Sequence, residues 1–124
     1  MEGTVKKWKD LVSEARQAVQ LLQVNEVKAM MDTGDDFILI DVRESDEYQK
    51  GAIPDGCSIP RGILEMTVEE QIPDTTKQIV LHCMGGGRSA MAALSLKNMG
   101  YQHVASMEGG FRAWVQAGYP IKSS

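Results

Sequence analysis

Residues 82 to 90 read HCMGGGRSA, and Cys83 within them has neighbours suited to making it a nucleophile. A cysteine attacks as its thiolate, and an unassisted thiol, titrating at about 8.5, is mostly neutral at physiological pH. Two features after Cys83 would favour the anion. A helix opening near Ser89 would present unsatisfied N–H groups and the positive end of its macrodipole to the sulfur. Gly85, Gly86 and Gly87 would let successive amides converge on one point, since the alternating right- and left-handed backbone this requires is disfavoured by side chains. Arg88 adds a guanidinium for an anionic substrate. The chemistry implied is covalent catalysis at Cys83, with Met84, Gly85, Gly86, Gly87, Arg88 and Ser89 as anion cradle. The plain alternative for the same residues is a flexible connection beside an inert cysteine.

Other residues able to do chemistry are placed around this loop. Asp41 and Arg43, in IDVRE, sit at a strand end near the loop, where the plain reading is an ordinary ion pair that fixes a turn. His82 adjoins the nucleophile, but neighbours on a strand point to opposite faces, so its ring is expected to face away from Cys83. His103 has no partner at metal-ligand spacing, and neither a zinc site nor any cofactor is expected. Cys57 reads as a small buried residue, with a resolving disulfide to Cys83 as the alternative. Arg61 is either a pocket-lining residue or a solvated loop charge. Met66, Met84 and Met107 are candidates for an apolar rim.

The loop needs a strand before it and a helix after it. QIVLHC (78–83) and FILIDV (37–42) are continuous apolar, β-branched runs of the kind buried on both faces of a parallel sheet. SAMAALSLKNMG predicts a helix with Ser89 as N-cap or first-turn residue, an apolar side of Met91, Leu94, Leu96 and Met99, and Gly100 as terminator. Thr4 is expected to cap a first helix facing the core with Trp8, Leu11, Val12 and Ala15, and VQLL to form a short strand. Asn25 is expected to cap a helix ended by Gly34, and Ser45 one ended by Gly51, before the irregular AIPDGCSIPRG. HVASM reads as a further strand. Glu108 to Gly110 predict a tight turn into a last helix with Phe111, Trp114 and Val115 inward.

Strands alternating with helices predict an α/β fold: a single three-layer domain with a mainly parallel central sheet flanked by helices on both faces. Ligands in such sheets bind beyond the carboxyl ends of the strands, where Asp41 and Cys83 both lie. The 124 residues, 43% hydrophobic, suit one domain. A net charge of -4 with scattered Lys and Arg argues against nucleic acid. The charged N-terminus and the lack of a long apolar run argue against a leader and a membrane span, so a cytoplasmic protein with reduced thiols is expected. Two cysteines of unlike context do not make a disulfide framework.

Three ordered motifs resemble the rhodanese-like domains: the loop in which four residues separate Cys83 from Arg88, LIDVRESDEYQKGAIPDG, and MEGGFRAWVQAGYPI. The similarity runs from about Asn25 onward, which predicts residues 1–22 as an N-terminal helical extension and 23–124 as the domain. Where the family commonly has histidine after the glycine of its GxIP segment, this chain has Ala52. The resemblance implies a sulfurtransferase, in which Asp41 and Arg43 would support the site through ion-pair and hydrogen-bond contacts rather than react. Cys83 would take a sulfane sulfur from a small sulfur-containing anion such as thiosulfate, and a persulfide would pass it to cyanide or a thiol, including a protein thiol. The alternative is a persulfide carrier or sensor that hands sulfur to a partner protein with little turnover. A cysteine-dependent phosphatase fits less well, because its larger loop has five residues between cysteine and arginine.

Overall fold

The two longest apolar runs become the interior of one sheet. The computed structural model describes residues 5–123, with strands β1 Gln20–Leu22, β2 Ile38–Asp41, β3 Cys57–Ser58, β4 Gln78–His82 and β5 His103–Met107. All are paired in parallel in the order β1-β5-β4-β2-β3. The helices are α1 Trp8–Ala18, α2 Val24–Asp32, α3 Ser45–Gln49, α4 Leu64–Gln71, α5 Gly87–Met99 and α6 Gly110–Gln116, with a 3-10 turn at Arg61–Ile63. The expected boundary after residue 22 falls between β1 and α2.

Strand residues alternate between two cores, as a pleat demands. Ile40, Ile79, Leu81 and Cys83 pack with Leu64 and Val68 of α4 and with Ala92, Ala93 and Leu96 of α5. Leu39, Val80 and Met107 pack on the other face with Val27 of α2 and Trp114 of α6. Fully burying a side chain of this size contributes roughly 1.5–3 kcal/mol, and these two faces make the sheet the rigid middle of three layers. α1 lies along α5. It is tied there by Lys97 Nζ donating to the Ala18 carbonyl at 2.6 Å and by an Arg16–Glu108 ion pair.

Register brings the chemistry to one edge. Asp41 is level with His82 across β2 and β4, and the Val42 N–H extends the ladder to the His82 carbonyl at 2.9 Å. The carboxyl ends of these strands therefore stop side by side, with Cys83 the next residue.

Several local expectations are corrected. α2 starts after Gln23, whose N–H donates to the Glu26 carboxylate at 2.8 Å, so Asn25 is inside the helix. α3 is capped at Glu44, and Ser45 is its first residue. Thr4 lies outside the described residues, and α1 has its N-cap at Lys7. On α5 the fully buried side is Ser89, Ala90, Ala92, Ala93 and Leu96; Met99 is exposed and Met91 and Leu94 are half-buried. Small residues face the sheet because a helix lying close to strands leaves no room for larger ones. Val115 is exposed, Phe111 half-buried and Trp114 fully buried. On α1 only Ala15 is fully buried, while Trp8 and Leu11 stay largely exposed.

Candidate active site

Cys83 follows the last residue of β4 and is 1% exposed. Its Sγ accepts a hydrogen bond from the Gly86 N–H at 3.1 Å and lies 3.6 Å from Ser89 Oγ in the first turn of α5. Ser89 Oγ in turn donates to the Gly86 carbonyl at 3.2 Å and is 2.8 Å from Ser106 Oγ on β5. The sulfur is thus held over the start of a 13-residue helix, where backbone donors and the macrodipole favour an anion.

The glycines have separate roles. Gly86 is the N-cap of α5 with φ +106°, a conformation that costs other residues dearly, and it is this strained corner that aims its amide at the sulfur. Gly87 is helical, but a Cβ there would come within 3.3 Å of Trp8 Cζ2 and 3.5 Å of Val12 Cγ2. Its bareness lets α1 pack against the start of α5. At Gly85, neither backbone conformation nor lack of space demands glycine. The expected convergence of several loop amides is reduced to one: among the described residues, the Gly86 N–H is the one backbone amide that donates to Sγ.

The loop's other side is set by α6. Phe111 N–H donates to the Cys83 carbonyl at 2.7 Å and Arg112 N–H to the Met84 carbonyl at 3.0 Å. These bonds occupy both carbonyls with amides of α6 and fix the loop backbone against that helix. The approach is so close that a Cβ on Gly110 would collide with the Cys83 carbonyl and come within 2.7 Å of Met84 O. Sequence inspection passed over this dependence on α6, although Gly109 and Gly110 before an aromatic residue are its visible trace.

Arg88 is clamped. Its Nη1 and Nη2 donate to the two carboxylate oxygens of Glu47 at 2.7 and 3.1 Å. The guanidinium holds the Glu47 carboxyl at about 2, far below the usual carboxylate range, although burial pulls the other way. Glu47 in return raises the pKa of Arg88, with a smaller contribution from Cys83. Glu47 is fixed because Oε1 also accepts the Glu44 N–H at 3.0 Å, the capping contact of α3. Sequence reasoning missed Glu47; its only signal was a position three residues after a helix N-cap.

Asp41 and Arg43 form an ion pair at 2.7 Å, each 1% exposed. Arg43 also donates to the Gly51 carbonyl at 2.8 Å and stacks on the Phe111 ring, 4.2 Å to its centroid. Since Phe111 holds the Cys83 carbonyl, this pair braces the loop from behind without touching the sulfur. His82 faces the Asp41 side of the sheet: Nε2 is 3.8 Å from Asp41 Oδ2 and has no hydrogen-bond partner among the described residues, and Nδ1 is 3.4 Å from the Cys83 carbonyl. Burial lowers its pKa. Ala52, in the position of the family's histidine, is buried and paired through its backbone with Lys122.

The remaining candidates lie apart. Cys57 is exposed on edge strand β3, level with Ile40, which is level with Leu81. Two strand spacings, about 9.5 Å, exceed the Cα separation of about 6.8 Å that a disulfide spans, so pairing with Cys83 is ruled out in this fold. Although the residue is exposed, partial desolvation by its surroundings pushes the Cys57 thiol up. Arg61 pairs with Glu65 at 2.8 Å, and Glu65 reaches Ser95 of α5 at 2.6 Å. Met66 is exposed and Met84 half-buried, but Met107 is wholly buried beside Trp114 and belongs to the core, not to a rim. Among the described residues no group of His, Cys, Asp and Glu is arranged to hold a metal ion, and no helix is long and apolar enough to cross a membrane.

Comparison with known proteins sets this geometry in a family. A sulfurtransferase of Allochromatium vinosum is 33% identical over 87 residues, covering 70% of this chain and 79% of the relative. A structure from Rhodopseudomonas palustris, described as a protein of unknown function and possible tyrosine phosphatase, superposes with a TM-score of 0.85 at 35% identity, covering 98% of this chain and 99% of that one. A thiosulfate sulfurtransferase from Pseudomonas aeruginosa superposes with a TM-score of 0.83 at 32% identity, covering 94% of this chain and 22% of that one. The rhodanese-like domain model matches residues 23–117, and with the parallel five-stranded sheet and the cysteine loop at its carboxyl edge, this chain belongs to the rhodanese-like domain family.

Proposed function

We propose that the protein transfers a sulfane sulfur from a small anionic donor such as thiosulfate to cyanide or a thiol, a protein thiol included. The Cys83 thiolate attacks the outer sulfur of the donor, an S–S bond forms as the donor's own S–S bond breaks, and sulfite leaves with its electron pair. The acceptor then attacks the outer sulfur of the Cys83 persulfide and regenerates the thiolate. The observation that carries this reading is the Gly86 N–H on Cys83 Sγ at the N-terminus of α5, where the leaving and attacking thiolate are both stabilised. Met84 to Ser89 form the cradle in this scheme, Arg88 and Glu47 hold its shape, and Asp41 and Arg43 brace it. No cofactor is required, and cytoplasm, with its reduced thiols, suits the chemistry. Residues 23–124 carry the domain, β1 just before them completes its sheet, and α1 is an extension docked on it.

Phosphate ester hydrolysis, suggested in the description of the Rhodopseudomonas structure, is disfavoured here. Four residues rather than five separate Cys83 from Arg88, and the guanidinium face that would clamp a phosphate is filled by Glu47.

Incubation with thiosulfate and cyanide, following thiocyanate release and the mass of the protein, tests the proposal. Steady turnover with one sulfur added at Cys83 is expected, and Cys83→Ser abolishes both. A stable adduct with negligible turnover supports the persulfide-carrier reading instead; neither adduct nor turnover in folded protein overturns sulfur transfer.

A further inference from the structure

The positive charges around the loop are not distributed as the sequence suggests. Of the chain's five arginines, four are ion-paired: Arg16 with Glu108, Arg43 with Asp41, Arg61 with Glu65 and Arg88 with Glu47. Arg112 is the exception, with no carboxylate partner among the described residues. Yet Arg112 stands at the loop. Its N–H is bound to the Met84 carbonyl, and from that anchored backbone Nη1 reaches to 3.6 Å from the position a Cβ on Gly85 would occupy. It is exposed, so its charge is open to a solute.

The negative groups at the loop are already matched. Glu47 is held by Arg88. Glu108, whose Oε1 lies 3.8 Å from the Cβ position of Gly86, is held by Arg16. Arg112 therefore leaves the loop's surroundings with one uncompensated positive charge, on a molecule whose net charge of -4 would otherwise repel a dianion. Charges more than about 8 Å away are largely screened at physiological ionic strength, so the guanidinium beside the loop governs the local field.

Resting on the sulfur-transfer reading, we infer that Arg112 is the substrate-binding cation for anionic sulfur donors, meeting the sulfonate end of a thiosulfate-like dianion while Arg88 is held by Glu47. The guanidinium gives planar, paired donors to sulfonate oxygens, and it is carried by α6, not by the loop that holds the sulfur.

Two donors separate this role from a structural one: thiosulfate, and dimethyl trisulfide, which carries no charge. Arg112→Gln is expected to raise KM for thiosulfate about fivefold, with the rate on the trisulfide within about twofold of wild type, and Arg112→Lys to recover most of the loss. Added salt raises the wild-type KM towards that of the Gln variant. An unchanged thiosulfate KM, or an equal loss on both donors, overturns the assignment. A second readout needs no turnover: in Cys83→Ser, titration with thiosulfate shifts the amide resonances of Gly85 and Gly86, and adding Arg112→Gln weakens that binding several-fold. If wild type forms no persulfide from either donor, sulfur transfer falls, while the amide titration still decides whether Arg112 binds the dianion.

Discussion

At the scale of single residues, the site is a contest over where charge is neutralised. Cys83 has one backbone donor and one hydroxyl, and the cation next along its own loop is bound to Glu47. The Arg88 guanidinium depresses the Glu47 carboxyl to about 2, from the ordinary value of 4.5 for such a group. A carboxyl that binds protons less readily folded than unfolded contributes stability in full above its unfolded pKa, and loses it as pH falls through its folded one. Glu47→Gln is therefore expected to cost about 1 kcal/mol at pH 7, after allowing for partial exposure. That difference shrinks towards zero between pH 4.5 and 2, which urea unfolding of both proteins at a series of pH values checks. The nucleophile, the glycines and Arg88 were legible in the sequence because they are contiguous. Glu47, 41 positions away from Arg88, was not, because nothing local indicates which helix end meets which loop.

At the scale of elements, the loop is shaped as much by α6 as by the strand and helix that flank it. β4 brings the cysteine to the sheet edge and α5 supplies the N-terminus, both foreseeable from apolar runs and from the helical stretch after the glycines. The hydrogen bonds from Phe111 and Arg112 to the loop carbonyls were not foreseeable, since they depend on β5 lying beside β4 and delivering α6 to that edge. Gly110, at φ +57° and against the Cys83 and Met84 carbonyls, is the point where the two elements touch. Gly110→Ala is expected to destabilise the protein by about 2 kcal/mol or more. It should lower the yield of Cys83 persulfide out of proportion to the folded fraction, as measured by denaturation and mass spectrometry on one preparation. A variant with normal stability and normal persulfide formation would remove α6 from the account.

At the scale of the whole molecule, three layers enclose polar groups that no surface could hold so firmly. Asp41, Arg43 and His82 are each about 1% exposed, and breaking a buried pair such as Asp41–Arg43 from one side typically costs about 3–5 kcal/mol. His82 is the weak member, with Nε2 lacking a hydrogen-bond partner among the described residues and its pKa lowered by burial. The unfolded chain takes up its proton first, so stability is present above about pH 6.5 and falls as pH drops below it. Unfolding free energies between pH 7 and 5 should show this slope, and His82→Gln should flatten it; a slope left intact places the proton uptake elsewhere. The sequence by itself determined most of the strands and helices, the parallel sense of the sheet and the nucleophilic loop, because period and glycine placement act over a few residues; α4, the strand order and the N-caps at Gln23 and Glu44 came only with the fold. Only the tertiary structure decided which charges are paired. Two groups neutralise each other when folding brings them within about 4 Å, whatever their separation along the chain, and that condition binds Arg88 to Glu47 and leaves Arg112 open at the loop.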